Sequence, residues 1–297
     1  MMCCRGVSGS GRVCDRLYCS DKIRADHPLL TCFLKELKMS MNAEFDFKGK
    51  GIVITGASEG IGFETAKAFS KAGANVAICG RSAEKLEKAA AELKEYGTVV
   101  FADCCDVSDS AQFRAFGDKA AAALGSVDVF INNAGFMPSA KLIDMSEELW
   151  DKVIDTNLKS VFTGTKIAYE KMKDHGGVII NAASYAAVIP SVGGSAYAAA
   201  KSGVVSLTRT YAAELAPYKI RVLGYIPGVI DTALNAANIA ARADALLTPL
   251  ALQKFGEPED VAKVILFMAS DAADYMTGTC LEISGGKYAV QNARAAW

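Results

Sequence analysis

Ile52-Val-Ile-Thr55 followed by Gly56-Ala-Ser-Glu-Gly60-Ile-Gly62 is the stretch that decides the architecture. The first four residues are apolar or β-branched and make a short strand. The glycines make a turn, and Phe63 to Ala72 then repeats at helical spacing until Gly73 stops it. Strand, glycine turn and helix in that order open a βαβ unit. Glycines at 56, 60 and 62 permit a tight turn and close backbone approach. The start of the helix adds free N–H groups and the positive end of its dipole, and together these cradle a pyrophosphate.

Outward from this stretch the alternation continues. Asn75-Val-Ala-Ile-Cys79 is a second strand, and residues 83–96 form a charged amphipathic helix. A strand near 98–102, a helix over 108–124 and a strand over 127–132 follow. A long helix then runs from 146 to about 173, with a strand at 177–181, a helix at 195–215 and a strand at 221–226 after it. The segment to Pro249 is looser; a helix near 259–270 and a strand at 279–283 close the chain. Strands alternating with helices predict a parallel sheet covered on both faces, an α/β doubly wound arrangement. No linker or internal boundary falls after residue 45, so residues 45–297 read as a single domain.

The second strand bears on the ligand. An NAD site usually ends that strand with an acid that holds the ribose 2′-hydroxyl. Residues 75–82 contain none, and the strand runs into Gly80-Arg81-Ser82. An arginine there can receive the 2′-phosphate of NADP, so NADP(H) is favoured and NAD(H) is the alternative. Glu59, inside the glycine turn, is a like-charge objection.

Ser184, Tyr197 and Lys201 carry the chemistry. Tyr197 and Lys201 are four apart and leave one face of a helix. The bland alternative is that they decorate its surface. A phenol titrates near 10, so a base working at neutrality needs it lowered by roughly three units, or about 4 kcal/mol. A neighbouring ammonium could do this by favouring the phenolate. Ser184 offers a hydroxyl to hold a substrate oxygen.

Thr55-Gly-Ala-Ser-Glu-Gly-Ile-Gly62, Asp106-Val107, Asn132-Asn-Ala-Gly135, Asn157, Ser184, Tyr197 with Lys201, and Pro227-Gly228 with Thr232 together resemble the short-chain dehydrogenase/reductase family. The resemblance runs from about Phe45 to the C-terminus. It implies a Rossmann-type sheet of about seven strands in a three-layer α/β/α domain, and a hydride transfer between NAD(P) and a ketone or secondary alcohol. Gly56, Ser58, Gly60, Ile61 and Gly62 would hold the pyrophosphate end. Asp106 and Val107 would hold the adenine, and Asn133, Ala134 and Gly135 the adenine ribose. Lys201 would bridge the nicotinamide ribose, and Pro227, Gly228, Ile230 and Thr232 would close over the nicotinamide. Ser184 would orient the substrate oxygen and Tyr197 would exchange the proton. Lys201 would lower the tyrosine pKa, and Asn157 would bend its helix and complete a proton relay. Phe136, Met137 and Tyr185 would line a substrate pocket, with the segment 233–247 as a lid.

Within the family the pattern is similar to the 3-oxoacyl-carrier-protein reductases. The positions where those enzymes place docking cations hold Glu170 and Ala213, which favours a small free ketone, sugar, polyol or steroid-like substrate instead. A silent nucleotide-binding sensor or scaffold on the same fold is the alternative of another class, and the intact Ser, Tyr, Lys and Asn weigh against it. A Ser-His-Asp hydrolase would need a histidine, and the domain has only His175. The long helices suggest a homotetramer or homodimer.

The totals exclude other partners. With 297 residues, 51% hydrophobic, and a net charge of −1, the chain has no basic footprint for nucleic acid or an anionic membrane. No apolar run is long enough to span a bilayer. Nine cysteines without a paired C-x-x-C spacing suit a reduced, cytoplasmic protein with no disulfide framework and no metal site. Residues 1–44 lack periodicity and read as a disordered or non-functional extension, with Met41 as an alternative start.

Overall fold

The computed structural model describes residues 45–287, 289 and 291–297; the expectations for residues 1–44 lie outside them. Seven strands make one sheet: β1 Gly51–Thr55, β2 Asn75–Gly80, β3 Val100–Cys104, β4 Val129–Asn132, β5 Gly177–Ala182, β6 Ile220–Pro227 and β7 Cys280–Ile283. Their order is β3-β2-β1-β4-β5-β6-β7, and every pairing is parallel. The helices between them are α1 Gly60–Lys71, α2 Ala83–Lys94, α3 Ser110–Leu124, α4 Glu147–Ile154, α5 Ser160–Met172, α6 Ser195–Leu215, α7 Ala236–Leu247 and α8 Pro258–Ala269. Strand order reverses between β1 and β4, and that switch point opens a crevice at the strands' C-terminal ends.

Successive strand residues point to opposite faces, and both faces are buried. On one side Ile52, Ile54, Val76 and Ile78 pack with Phe69 of α1, Leu86 of α2 and Ile265 of α8. On the other, Val53, Ala77, Phe130 and Ile179 meet Phe113 and Phe116 of α3, Ile167 of α5 and Ala212 of α6. That two-sided burial explains why β1 and β4 read as continuous apolar runs rather than alternating ones.

One polar chain crosses the second core. Asn132 Nδ2 donates to Asn181 Oδ1 at 2.9 Å, across a directly paired position of β4 and β5. Asn181 Nδ2 donates to Thr208 Oγ1 at 3.1 Å, and Thr208 Oγ1 donates to the Val204 carbonyl at 2.8 Å. Buried amides need such partners, because each one left unpaired costs about 1–3 kcal/mol.

Three sequence expectations are corrected. The third strand lies at 100–104 rather than 98–102, because its register is set by Val100 against Val76 and Ala102 against Ile78. The looser segment before Pro249 contains a helix, α7, broken at Arg242 (φ −155°, ψ 42°). The long helix from 146 is interrupted by a π-helical turn, Asp155–Lys159. Asn157 Nδ2 and Ser160 Oγ each donate to the carbonyl four residues earlier, at 2.9 and 2.6 Å, and so compete with the backbone ladder there.

Candidate active site

The crevice at the switch point is a cleft of about 430 Å³. The turn from β1 into α1 forms its floor. Gly56 has φ +63°, and a Cβ there would stand 2.7 Å from the Ala134 Cα, so only glycine serves. At Gly62 a Cβ would overlap the Gly56 carbonyl and the Asn133 amide. Side chains cap the other helix starts nearby: Ser82 accepts from Lys85 N, and Asp109 accepts from Ala111 N and Gln112 N. Helix α1 has no side-chain cap, so its first N–H groups face the cleft available to an anion. The residues therefore fit a dinucleotide pyrophosphate.

Neighbouring contacts hold this floor rigid. The buried Thr55 Oγ1 accepts from Asn133 N and Ala134 N, both at 3.0 Å. Asn133 Nδ2 donates to the carbonyls of Thr55 and Gly56 at 2.9 and 3.0 Å, while its Oδ1 accepts from Tyr225 Oη at 2.8 Å. The side chain of Asn133 is thus spent on the glycine turn. Thr55 and Tyr225 are positioning residues that were not singled out from sequence. Thr55 stood in the quoted motif, whereas Tyr225, in an apolar strand, left no signal.

Arg81 and Ser58 line the cleft beside Gly80. Glu59 is held by Lys85 of α2, both carboxylate oxygens lying 2.9 Å from Nζ. That pairing answers the like-charge objection to a phosphate near Arg81. Asp106 and Val107 line the same wall, and Asp106 Oδ1 accepts from Ser108 N and Oγ at 3.0 and 2.7 Å.

Ser184, Tyr197 and Lys201 converge at the cleft's inner end with Phe136, Met137 and Tyr185. Ser184 sits just past β5, with its Oγ accepting from Ala186 N at 3.2 Å. Tyr197 and Lys201 project from the first two turns of α6 and are 9% and 2% exposed. They line the site and do not decorate a surface. Lys201 Nζ donates to the Ala182 carbonyl at 2.7 Å and lies 5.6 Å from the Tyr197 ring centroid. Burial pulls the Lys201 ammonium down to about 8. Burial also pushes the Tyr197 phenol up to about 12, with the Ser184 hydroxyl pulling the other way. Loss of solvent thus raises Tyr197 in the protein alone, contrary to the lowering expected from Lys201.

Of the residues expected in the site, the structure leaves two off the cleft wall. Ile230 is 3% exposed in the core, and its carbonyl accepts from Asn235 Nδ2 at 2.9 Å. Asn157 is fully buried. Its Nδ2 donates to the Phe136 and Val153 carbonyls at 2.8 and 2.9 Å, and its Oδ1 accepts from Phe136 N at 3.1 Å. That side chain braces the Phe136 backbone. Every other expected site residue lines the cleft. His175 bonds the Val127 carbonyl at 3.2 Å and takes no part in the cleft, which leaves Ser184 without a histidine base among the described residues. Among the described residues no acid, cysteine and histidine cluster could hold a metal, and no helix is long and apolar enough to cross a membrane.

The short chain dehydrogenase family model matches residues 50–243. A 3-oxoacyl-[acyl-carrier-protein] reductase, FabG, from Thermotoga maritima is 38% identical over 240 residues, covering 80% of this chain and 98% of that protein. Among solved structures, a putative short-chain alcohol dehydrogenase from Sinorhizobium meliloti superposes with a TM-score of 0.80 at 36% identity, covering 83% of this chain and 99% of that one. A short chain dehydrogenase from Burkholderia cenocepacia, in complex with NADP, has a TM-score of 0.78 at 33% identity, covering 81% and 98%.

Proposed function

Because the chain belongs to the short-chain dehydrogenase/reductase family, an oxidoreductase family, we propose that it moves a hydride between NADP(H) and a ketone or secondary alcohol of a small molecule. The observation that carries this is the convergence of Ser184, Tyr197 and Lys201 on the cleft floored by the uncapped turn of α1. A bound nicotinamide dinucleotide would supply or accept the hydride and bring a positive ring when oxidised. Ser184 Oγ holds the substrate oxygen. Tyr197 Oη gives that oxygen its proton in reduction and takes it back in oxidation. A phenol held near 12 suits the donor's part, being fully protonated at neutrality. The Lys201 ammonium would hold ribose hydroxyls of a bound dinucleotide, and its charge favours the Tyr197 phenolate. Asn157 fixes the Phe136 backbone against α4. Arg81 receives the 2′-phosphate, with Glu59 neutralised by Lys85.

The likeness to a carrier-protein reductase favours a second reading, a 3-oxoacyl thioester as substrate. Against a carrier partner, Glu170 is exposed and lies 3.8 Å from Arg114, and Ala213 is exposed too, so that face offers an acidic protein no cation at these positions. The partly exposed Trp150 and Phe162 on α4 and α5 support a homotetramer or homodimer, which sedimentation would count.

Tyr197→Phe tests the central assignment. NADPH-dependent carbonyl reduction should fall by a factor of roughly 100 or more, while NADPH binding by fluorescence persists. Near-normal turnover would remove Tyr197 from the chemistry, and binding without turnover in the native protein would favour the sensor.

A further inference from the structure

The C-terminal turn brings a cation to the substrate end of the cleft. Lys287 Nζ lies 4.6 Å from the centroid of the Tyr185 ring, and Tyr185 lines the cleft immediately after Ser184. The backbone holding Lys287 is fixed from three directions. Lys287 N donates to Ser284 Oγ at 3.1 Å. Gly285 O accepts from Leu252 N at 3.0 Å. The Gly228 loop packs so closely on Ser284 that a Cβ at 228 would stand 2.7 Å from the Ser284 Cα. Lys287 is half-buried, and burial together with the positive charge of Arg242 holds its ammonium below the usual lysine range. Arg242 sits where α7 breaks, and its only polar contact among the described residues is Asn238 Oδ1 at 3.5 Å. The nearby acid of α7, Asp244, is taken by Arg294 at 2.8 Å. Lys287 thus stands against the Tyr185 ring with no carboxylate paired to it among the described residues, a state that loss of solvent disfavours and that a bound anion relieves.

We propose that Lys287, seated on Tyr185, forms an anion subsite beside Ser184, so that the substrate is a carbonyl or hydroxy compound bearing a carboxylate or a phosphate. This rests on the oxidoreductase assignment of the same cleft and narrows its substrate class. Lys287 binds the charged end, Tyr185 packs against the intervening carbons, and the carbonyl is left at Ser184 and Tyr197. The apolar lining of Phe136 and Met137 sets the length between the two ends.

Two matched pairs separate the sources of the anion. The first is 3-oxohexanoate against its methyl ester; the second is 3-oxobutanoyl-pantetheine with and without its 4′-phosphate. The native protein should favour the charged member of one pair at least tenfold in kcat/KM with NADPH. Lys287→Gln should reduce that preference about tenfold, and Lys287→Glu should reverse it. Equal loss on both members of each pair would mark Lys287 as merely structural and overturn the subsite. Calorimetric binding of the same four compounds to the NADP-loaded protein gives a second readout. Charge-dependent binding without turnover would fault the oxidoreductase assignment and leave the subsite standing. Equal binding within both pairs would overturn the subsite whatever the turnover.

Discussion

Replacing Lys201 by methionine should make the pH dependence of folding stability visible at one residue. Lys201 is 2% exposed, and its Nζ is held by a single carbonyl, that of Ala182 at 2.7 Å. Burial alone brings it from 10.5 to about 8. At about 1.36 kcal/mol per pKa unit, that depression corresponds to about 3 kcal/mol of folding free energy. Between those two values the unfolded chain keeps the proton and the folded one has released it, so unfolding takes up a proton and stability rises with pH. The penalty is complete below about 8 and fully relieved only above 10.5. From pH 7 to pH 9 the native protein should gain about 1.4 kcal/mol relative to Lys201→Met. The lost hydrogen bond and altered packing are nearly independent of pH and cancel in that comparison. Tyr197, raised to about 12, titrates in the unfolded chain only near 10, and there it lowers stability; it lies outside the window. Urea unfolding of both proteins at pH 7, 8 and 9, without added cofactor and at equal concentration, reads the effect, with unchanged m values as the control. Parallel stability curves would refute the picture of an unpaired buried ammonium.

Two more substitutions test the walls of the cleft. Arg81→Ala should raise the KM for NADPH roughly ten- to hundredfold, the worth of a charged hydrogen bond, and barely alter that for NADH; equal effects on both would remove Arg81 from 2′-phosphate recognition. Asn157→Ala leaves the Phe136 N–H, the Phe136 carbonyl and the Val153 carbonyl without their partner. It should lower unfolding free energy by about 2–4 kcal/mol and speed hydrogen exchange at the Phe136 amide, whereas a slow, protected amide would show that another group holds that loop.

Periodicity in the sequence was enough to find β1, α1 and α6; the helix expected at 195–215 is the helix observed. Local signals made these elements legible: an apolar run, a glycine turn, a 3.6-residue stripe. The π turn at 155–159 was hidden because Asn157 and Ser160 bend the helix through bonds to their own backbone, which leaves the apolar stripe intact. Helix α7 escaped because its break at Arg242 divides it into pieces too short to show a face. Within the site, the glycine turn and the Tyr197–Lys201 spacing were readable, being contained in single elements. The Asn133–Tyr225 bond and the Lys287–Tyr185 contact join distant segments, and nothing in either partner's neighbourhood announces the other. The raised phenol of Tyr197 was likewise unreadable, since spacing shows the lysine but not the depth of burial.

The Asn132–Asn181–Thr208 chain also governs how accurately the cleft is assembled. Strands rich in valine and isoleucine on both faces pair almost equally well in several alignments, since any shift still places apolar beside apolar. The amide pair removes that freedom: a slip of β5 against β4 would separate Asn132 from Asn181 and strand their buried groups in hydrocarbon. Asn133 follows immediately on β4, and Ser184 lies two residues past the end of β5. One interior polar contact thus acts as an alignment key, indexing the cofactor floor to the catalytic serine when the sheet first closes.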